Sequence, residues 1–359
     1  MINPKCHTTE WIDSLSRQYS YPDKNLIEKV VRAISLLDML ARSGCPFIFK
    51  GGSCLMLLLK DSAHRLSIDI DILCPPGTNI EDYLKDYAAN GFLDYQLVER
   101  RQAGTDVPKS HSKFFYQVAF RAESSDTSYI LLDVLYEDCQ YQQTQQVTIE
   151  SPFISIDGAP VVVTVPSVGD ILGDKLTAFA PDTTGIPYFK KDKLSTLEVI
   201  KQLYDIGRLF DHVNDLSVTA SVFRKIAPIE LGYRGMPTAD LNLVFEDIRN
   251  TALNLVLRGQ IDKEKFTLLQ QGIKRIDSFM YQRPYHIEQA IIDAAKAAYL
   301  ATMAQYGITE IQHFDGNPLS IADKQINLLP NRLNRLKLSN SEAFYYWHLT
   351  EEILFHHQK

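Results

Sequence analysis

Between Phe47 and Leu73 the chain reads FIFKGGSCLMLLLKDSAHRLSIDIDIL, the stretch that most limits what it can build. Phe47 to Phe49 predict a short apolar strand. Gly51-Gly52 break it, and Ser53 opens an apolar helical stretch to about Leu59. A second strand is expected over Ser67 to Leu73. Strand side chains alternate between faces, so Asp69 and Asp71 point one way while Ile68, Ile70 and Ile72 enter a core. Two carboxylates about 7 Å apart on one strand face repel unless a positive charge sits between them. A divalent cation is the usual answer. Mg²⁺, or Mn²⁺ in its place, takes hard oxygen ligands and keeps positions open for phosphates. The bare amides of Gly51 and Gly52, with the Ser53 hydroxyl, can approach phosphate at a helix N-terminus. Each piece alone has a bland reading, a solvated edge strand or a plain turn. Their order points to a nucleoside triphosphate held between backbone amides and metal.

The 359 residues suffice for a large core and predict two domains, with a boundary near residue 166. No long uncharged apolar run is present, so no membrane-spanning helix is expected. Met1 to Glu10 lacks an apolar signal core, which gives a cytoplasmic expectation. The five cysteines are scattered without a C-x-x-C pair and read as free thiols. With a net charge of −7, any surface for nucleic acid must be local.

Along the chain, Pro22-Asp23 begins a helix to about Ser43, with Leu26, Val30, Ala33, Leu37 and Leu40 on one face and Gly44 at its end. Ile80 to Asn90 reads as a helix ending at Gly91. Leu93 to Val98, Phe114 to Arg121 and Tyr129 to Tyr136 read as strands. Arg100, Arg101, Lys109, His111 and Lys113 surround a loop that is either a solvated hairpin turn or a basic lip for a polynucleotide backbone. Asp133 shares a strand face with Leu131 and Leu135, where a carboxylate needs a partner, so it is the candidate third carboxylate. Val147 to Ile149 and Pro160 to Val165 are expected as closing strands. After Ser167 the pattern turns helical: a helix from Ser167 through Phe179, another over Lys193 to Phe210, then 240–258, 262–280, 285–306 and 340–357. Asn331 to Lys337 is basic at helical spacing and reads as a solvated face. The apolar terminal helix is expected to dock on its own domain, with a partner-protein or self-association surface as the alternative.

Gly52-Ser53 followed by Arg65-x-Ser67-x-Asp69-x-Asp71 resembles the signature of the polymerase-beta-type nucleotidyltransferases. The wording KGGS then RLSIDID resembles the AbiEii/AbiGii toxin branch, which includes the MenT toxins. Two downstream motifs agree in order and spacing. Asp174-Lys175-Leu176-Thr177-Ala178 is similar to the branch's D-K-L-x-A. Lys201-Gln202-Leu203-Tyr204-Asp205 is similar to its R-D-x-x-D, with Lys201 and Gln202 departing from the usual pair. The match spans roughly Leu26 to Phe210.

The resemblance implies an α+β fold: a nucleotidyltransferase-type mixed sheet flanked by helices, residues 1–166, followed by an α-helical domain, residues 167–359. It implies Mg²⁺-dependent transfer of NMP from an NTP to a hydroxyl, with Asp69, Asp71 and Asp133 as metal ligands and Asp133 as proton acceptor. It gives Lys50, Gly51, Gly52, Ser53, Arg65 and Ser67 to substrate binding, Lys175 to the triphosphate and Asp205 to a catalytic or nucleotide-side role. Lys175 could instead simply pair with Asp174 or Asp205. The implied acceptor is the 3′ end of tRNA, the implied setting a toxin–antitoxin or phage-defence pair with a cognate antitoxin. A protein hydroxyl, a small molecule such as an aminoglycoside, or a nucleotide-binding scaffold without turnover are the alternatives. No RNA module, aromatic ladder or strong basic stripe is evident in the sequence.

Overall fold

The computed structural model describes residues 1–100, 107–122 and 125–357. The chain divides into two compact units, 1–167 with 279–284, and 168–278 with 285–359.

The first unit opens with α1 (Thr9–Gln18), whose Trp11 amide donates to the Thr8 hydroxyl at the N-cap. α2 (Lys24–Arg42) follows, capped by the Asp23 carboxylate accepting from the Leu26 amide. Then come β1 (Ile48–Lys50), α3 (Gly51–Leu59), β2 (Ile70–Cys74), β3 (Asp94–Arg100), β4 (Lys109–Ala122) and β5 (Ser125–Tyr136). These strands form one mixed sheet in the order β1-β2-β5-β4-β3, with β2 and β5 parallel and the other pairs antiparallel. One face carries Phe49, Ile70, Ile72, Leu132, Val134 and Phe114, all buried, and α2 packs on the sheet with Ile27, Val30, Val31 and Leu37 buried. Each such side chain contributes roughly 1.5–3 kcal/mol by leaving water.

Two buried charges tie α2 to the sheet. Both oxygens of Glu28 accept from the Ala119 amide of β4, at 3.0 and 3.1 Å. Arg32 donates to the Gly91 carbonyl at 2.9 Å and lies over the Tyr116 ring. Burial pushes the Glu28 carboxyl up and holds His7, beside Ser35 and Arg32, down at about 4.

Three expectations change here. The segment 80–90 is two separate 3₁₀ turns, Ile80–Tyr83 and Ala88–Asn90, closed by left-handed Gly91. Ile80 and Leu84 are its buried apolar side chains, and Tyr87 meets the Tyr95 ring edge-on, a short apolar face for a continuous amphipathic helix. β4 begins at Lys109, five residues earlier than expected, because Lys109, His111 and Lys113 alternate with buried Ser110 and Ser112. β6 (Thr144–Thr148) and β7 (Val162–Pro166) pair with each other as a separate two-stranded ladder rather than extending the main one. Of the basic loop, Arg101 lies outside the described residues.

The second unit holds α4 (Val168–Ala178), a two-residue hairpin of β8 (Phe189–Lys190) and β9 (Lys193–Leu194), then α5 (Thr196–Phe210), α6 (Ser217–Tyr233), α7 (Asn242–Val256), α8 (Lys263–Ile276), α9 (Ile287–Tyr306), the single-turn α10 (Leu336–Ser339) and α11 (Ser341–His357). Lys193 therefore closes a hairpin, whose Lys191 and Asp192 both have positive φ, instead of starting a helix. α6 was hidden by Pro228 in its interior, and α1 by its short polar run. α9, rich in alanine, is the buried axis, with α5, α7 and α11 packed on it. Its Lys296 is buried yet satisfied, donating to Asp211 at 2.8 Å, near Glu342, and lying over the Phe210 ring. α11 docks on α9 through Phe344, Tyr346, Trp347 and Leu349, the own-domain outcome. In the 331–337 segment Leu333 and Leu336 are buried and Lys337 donates to the Ala322 and Lys324 carbonyls. Among the described residues no helix is long and apolar enough to cross a membrane. The five cysteines are free.

Candidate active site

The sheet register draws one line of polar residues across its other face. Lys50 lies opposite Asp71, Asp71 beside Asp133, Asp133 opposite His111, and His111 opposite Glu99. Residues paired across a ladder point to one side. Lys50, Asp71, Asp133, His111 and Lys109 accordingly line one cavity of about 200 Å³. Leu131 and Leu135 share the Asp133 face half-buried, while Leu132 and Val134 opposite are fully buried. The His111 Nδ1 is hydrogen-bonded to Asp133 Oδ1, and its Nε2 lies 3.9 Å from Glu99 Oε2. Asp133, a third exposed, therefore has one oxygen engaged by a neighbouring strand.

β1 runs straight into α3 at this line. Gly51 has φ +78°, and a Cβ there would stand 2.1 Å from Asp71 Oδ2. Only glycine fits both the left-handed backbone and the approach of the carboxylate. A Cβ on Gly52 would meet Arg65 Nη2 at 2.7 Å and Ser67 Oγ at 2.8 Å. Arg65 and Ser67 thus pack against the first turn of α3, with Arg65 buried and bonded to the Leu66 carbonyl. Lys50 occupies the N-cap and offers no side-chain acceptor to the first-turn amides. A helix N-terminus bounded by glycines is a ready anion site.

Ser53 and Asp69 meet differently from the expectation. The Ser53 hydroxyl donates to the Asp69 carbonyl at 2.6 Å, so it braces the approach to β2. β2 starts at Ile70, which leaves Asp69 just outside the ladder that fixes side-chain direction. Asp69 does not line the cavity that Asp71 and Asp133 share. Among the described residues no three His, Cys, Asp or Glu side chains stand close enough to hold a metal ion by themselves. Asp71 and Asp133 remain as a pair of hard oxygen donors side by side. A pair fits Mg²⁺, which is bound through one or two carboxylates plus substrate phosphates.

In the second unit Lys175 and Asp205 form a buried ion pair, Nζ to Oδ2 2.9 Å, with side chains 9% and 3% exposed. The Gln202 amide oxygen accepts from the same Nζ at 2.9 Å, while its nitrogen donates to the Glu198 carbonyl. The departure at position 202 therefore has a local account. A neutral acceptor satisfies Lys175 without adding a second buried negative charge.

Lys109 and His111, expected around a loop, stand on β4 and line the cavity of the carboxylates instead. The signal was present as the period-two run Lys-Ser-His-Ser-Lys at 109–113.

The sequence model described as "Nucleotidyl transferase AbiEii toxin, Type IV TA system" matches residues 35–284, well over half of the chain. The chain belongs to the AbiEii family of nucleotidyltransferase toxins. This AbiEii toxin is accordingly an NTP-utilising nucleotidyltransferase of the toxin–antitoxin kind. Among solved structures, MenT4, a nucleotidyltransferase toxin from Mycobacterium tuberculosis H37Rv, is similar with a TM-score of 0.50 at 12% identity. The similarity covers 81% of this chain and 89% of MenT4 and speaks to the shared fold. No curated protein matches the chain.

Proposed function

We propose that this AbiEii toxin transfers NMP from an NTP to the 3′ hydroxyl of tRNA in a Mg²⁺-dependent reaction, as the toxin of a cytoplasmic toxin–antitoxin pair that acts in phage defence and is neutralised by a cognate antitoxin. The observation that carries the reading is the in-register pair Asp71 and Asp133 beside a glycine-bounded helix N-terminus at Gly51.

Asp71 and Asp133 would hold the ion, Mg²⁺ or Mn²⁺, with Asp69 just ahead of them. When bound, the ion supplies positive charge against the phosphates. The amides of Gly52 and Ser53 take the leaving pyrophosphate. Arg65 and Ser67 keep that turn in place from behind Gly52. The acceptor hydroxyl attacks the α-phosphorus in line, its proton passes to the Asp133 carboxylate, and the bond to pyrophosphate breaks. Lys50 adds a cation at the end of the carboxylate line. On the family pattern Lys175 serves the triphosphate and Asp205 keeps its ammonium in place. Little covalent chemistry falls to the protein, so positioning and electrostatics supply the rate.

Incubation of the protein with Mg²⁺, each α-labelled NTP in turn and total tRNA tests this. Label on tRNA is expected with wild type and absent with the folded Asp69→Asn/Asp71→Asn double variant. Label on the protein or on a small molecule would replace the acceptor. Undiminished transfer by the double variant would remove the carboxylates from the mechanism.

A further inference from the structure

The carboxylate line continues along β4 and β5 as a basic and aromatic strip. Lys109, His111, Lys113 and Phe115 alternate with buried Ser110, Ser112 and Phe114 and so share the face of Asp133. Tyr129, 38% exposed, stands opposite Phe115 on β5, and their rings meet edge-on with centroids 5.9 Å apart. The Lys113 ammonium lies 4.3 Å from the Tyr129 ring centre, and the Lys29 ammonium 5.9 Å from it. Glu99 and Asp94 on β3 bound the strip at its edge. In a chain of net charge −7 this places two lysines, a histidine and two aromatic rings on one sheet face.

That combination is what a single-stranded nucleic acid needs. Ammonium groups track the phosphates, and aromatic rings accept the flat faces of bases without regard to sequence. Alternate residues on a strand are about 7 Å apart, comparable to the phosphate repeat of an extended single strand. The His111–Asp133 hydrogen bond joins the strip directly to the carboxylates.

We infer that the open face of β4 and β5 is the track for the single-stranded 3′ end of the acceptor RNA. Its last phosphate lies at Lys113 and a base stacks at Tyr129 and Phe115, while Lys109 stands on the far side of Asp133. The inference rests on the reading of the acceptor as RNA. It places that end so that the terminal hydroxyl reaches Asp133.

The test uses a fluorescent single-stranded RNA ending in a free 3′ hydroxyl, with anisotropy followed across a salt series. The proteins are wild type, Lys113→Gln and Tyr129→Leu, each checked for an unchanged thermal transition and for NTP binding by calorimetry. Lys113→Gln should weaken RNA binding and lower the salt slope by about 0.7. Tyr129→Leu should weaken it roughly tenfold while leaving the salt slope unchanged. Wild-type RNA binding with both variants unaffected would overturn the track alone. NMP transfer by wild type to a non-RNA acceptor, with no RNA binding, would overturn the acceptor reading and the track with it.

Discussion

Asp71 reaches the start of α3 because Gly51 presents no side chain to it. Gly51→Ala places a methyl group on the carboxylate and strains a backbone at φ +78°. A misplacement near 1 Å at reacting groups costs on the order of a hundredfold. A drop of that size in kcat/KM for NMP transfer is expected, with the far-ultraviolet circular dichroism unchanged. Lys175 carries a different prediction, because its charge is buried against Asp205 and Gln202. Lys175→Ala or Asp205→Ala alone leaves a charge without its counterpart and should cost about 3–5 kcal/mol. Lys175→Met/Asp205→Leu together should recover most of that loss in urea unfolding while NMP transfer stays absent. The residue types at the site could be read from Gly51-Gly52 and the Asp-x-Asp spacing. The neighbours could not, since His111 meets Asp133 from a strand 22 positions away.

At the scale of elements, long periodic helices such as α2 and α9 and the apolar strand β5 were legible from spacing. The errors fell where tertiary contacts overrule local pattern. Two turns replaced a helix at 80–90, β4 hid behind alternating polar residues, and α6 continued through Pro228. One connection also sets a pH dependence. Asp247 of α7 holds the loop after α4, accepting from the Asp182 amide at 2.9 Å and the Thr183 hydroxyl at 2.8 Å. Burial raises its carboxyl to about 6, against the hydrogen bonds that lower it. A raised value means the folded state keeps the proton longer than the unfolded chain does. Asp247 should therefore favour folding most below about pH 4, and lose that contribution, roughly 3 kcal/mol, as pH rises to 6. Chemical denaturation of wild type and Asp247→Asn between those values checks it: the variant should show the flatter profile.

Across the whole molecule, the five-stranded sheet and the helical unit are each compact, and the family match runs through both, ending at residue 284. That end coincides with a feature no local pattern announces. Residues 279–284 return to the first unit, where the Phe279 carbonyl accepts from the Leu66 amide and the Tyr281 amide donates to the His64 carbonyl. The return braces the stretch just ahead of Ser67 and Asp69, so the signature stretch depends on chain more than 200 positions away. Sequence spacing carries local direction and not such pairings. On the proposed function, NMP transfer depends on the Asp71 and Asp133 pair. The most direct measurement is pyrophosphate release from NTP with Mg²⁺ and tRNA, comparing wild type with Asp71→Asn and Asp133→Asn of unchanged melting temperature. Wild type should release pyrophosphate steadily and each variant should lose on the order of a thousandfold, the scale of a lost electrostatic contribution to the transition state. Release at the wild-type rate by either folded variant would contradict that dependence.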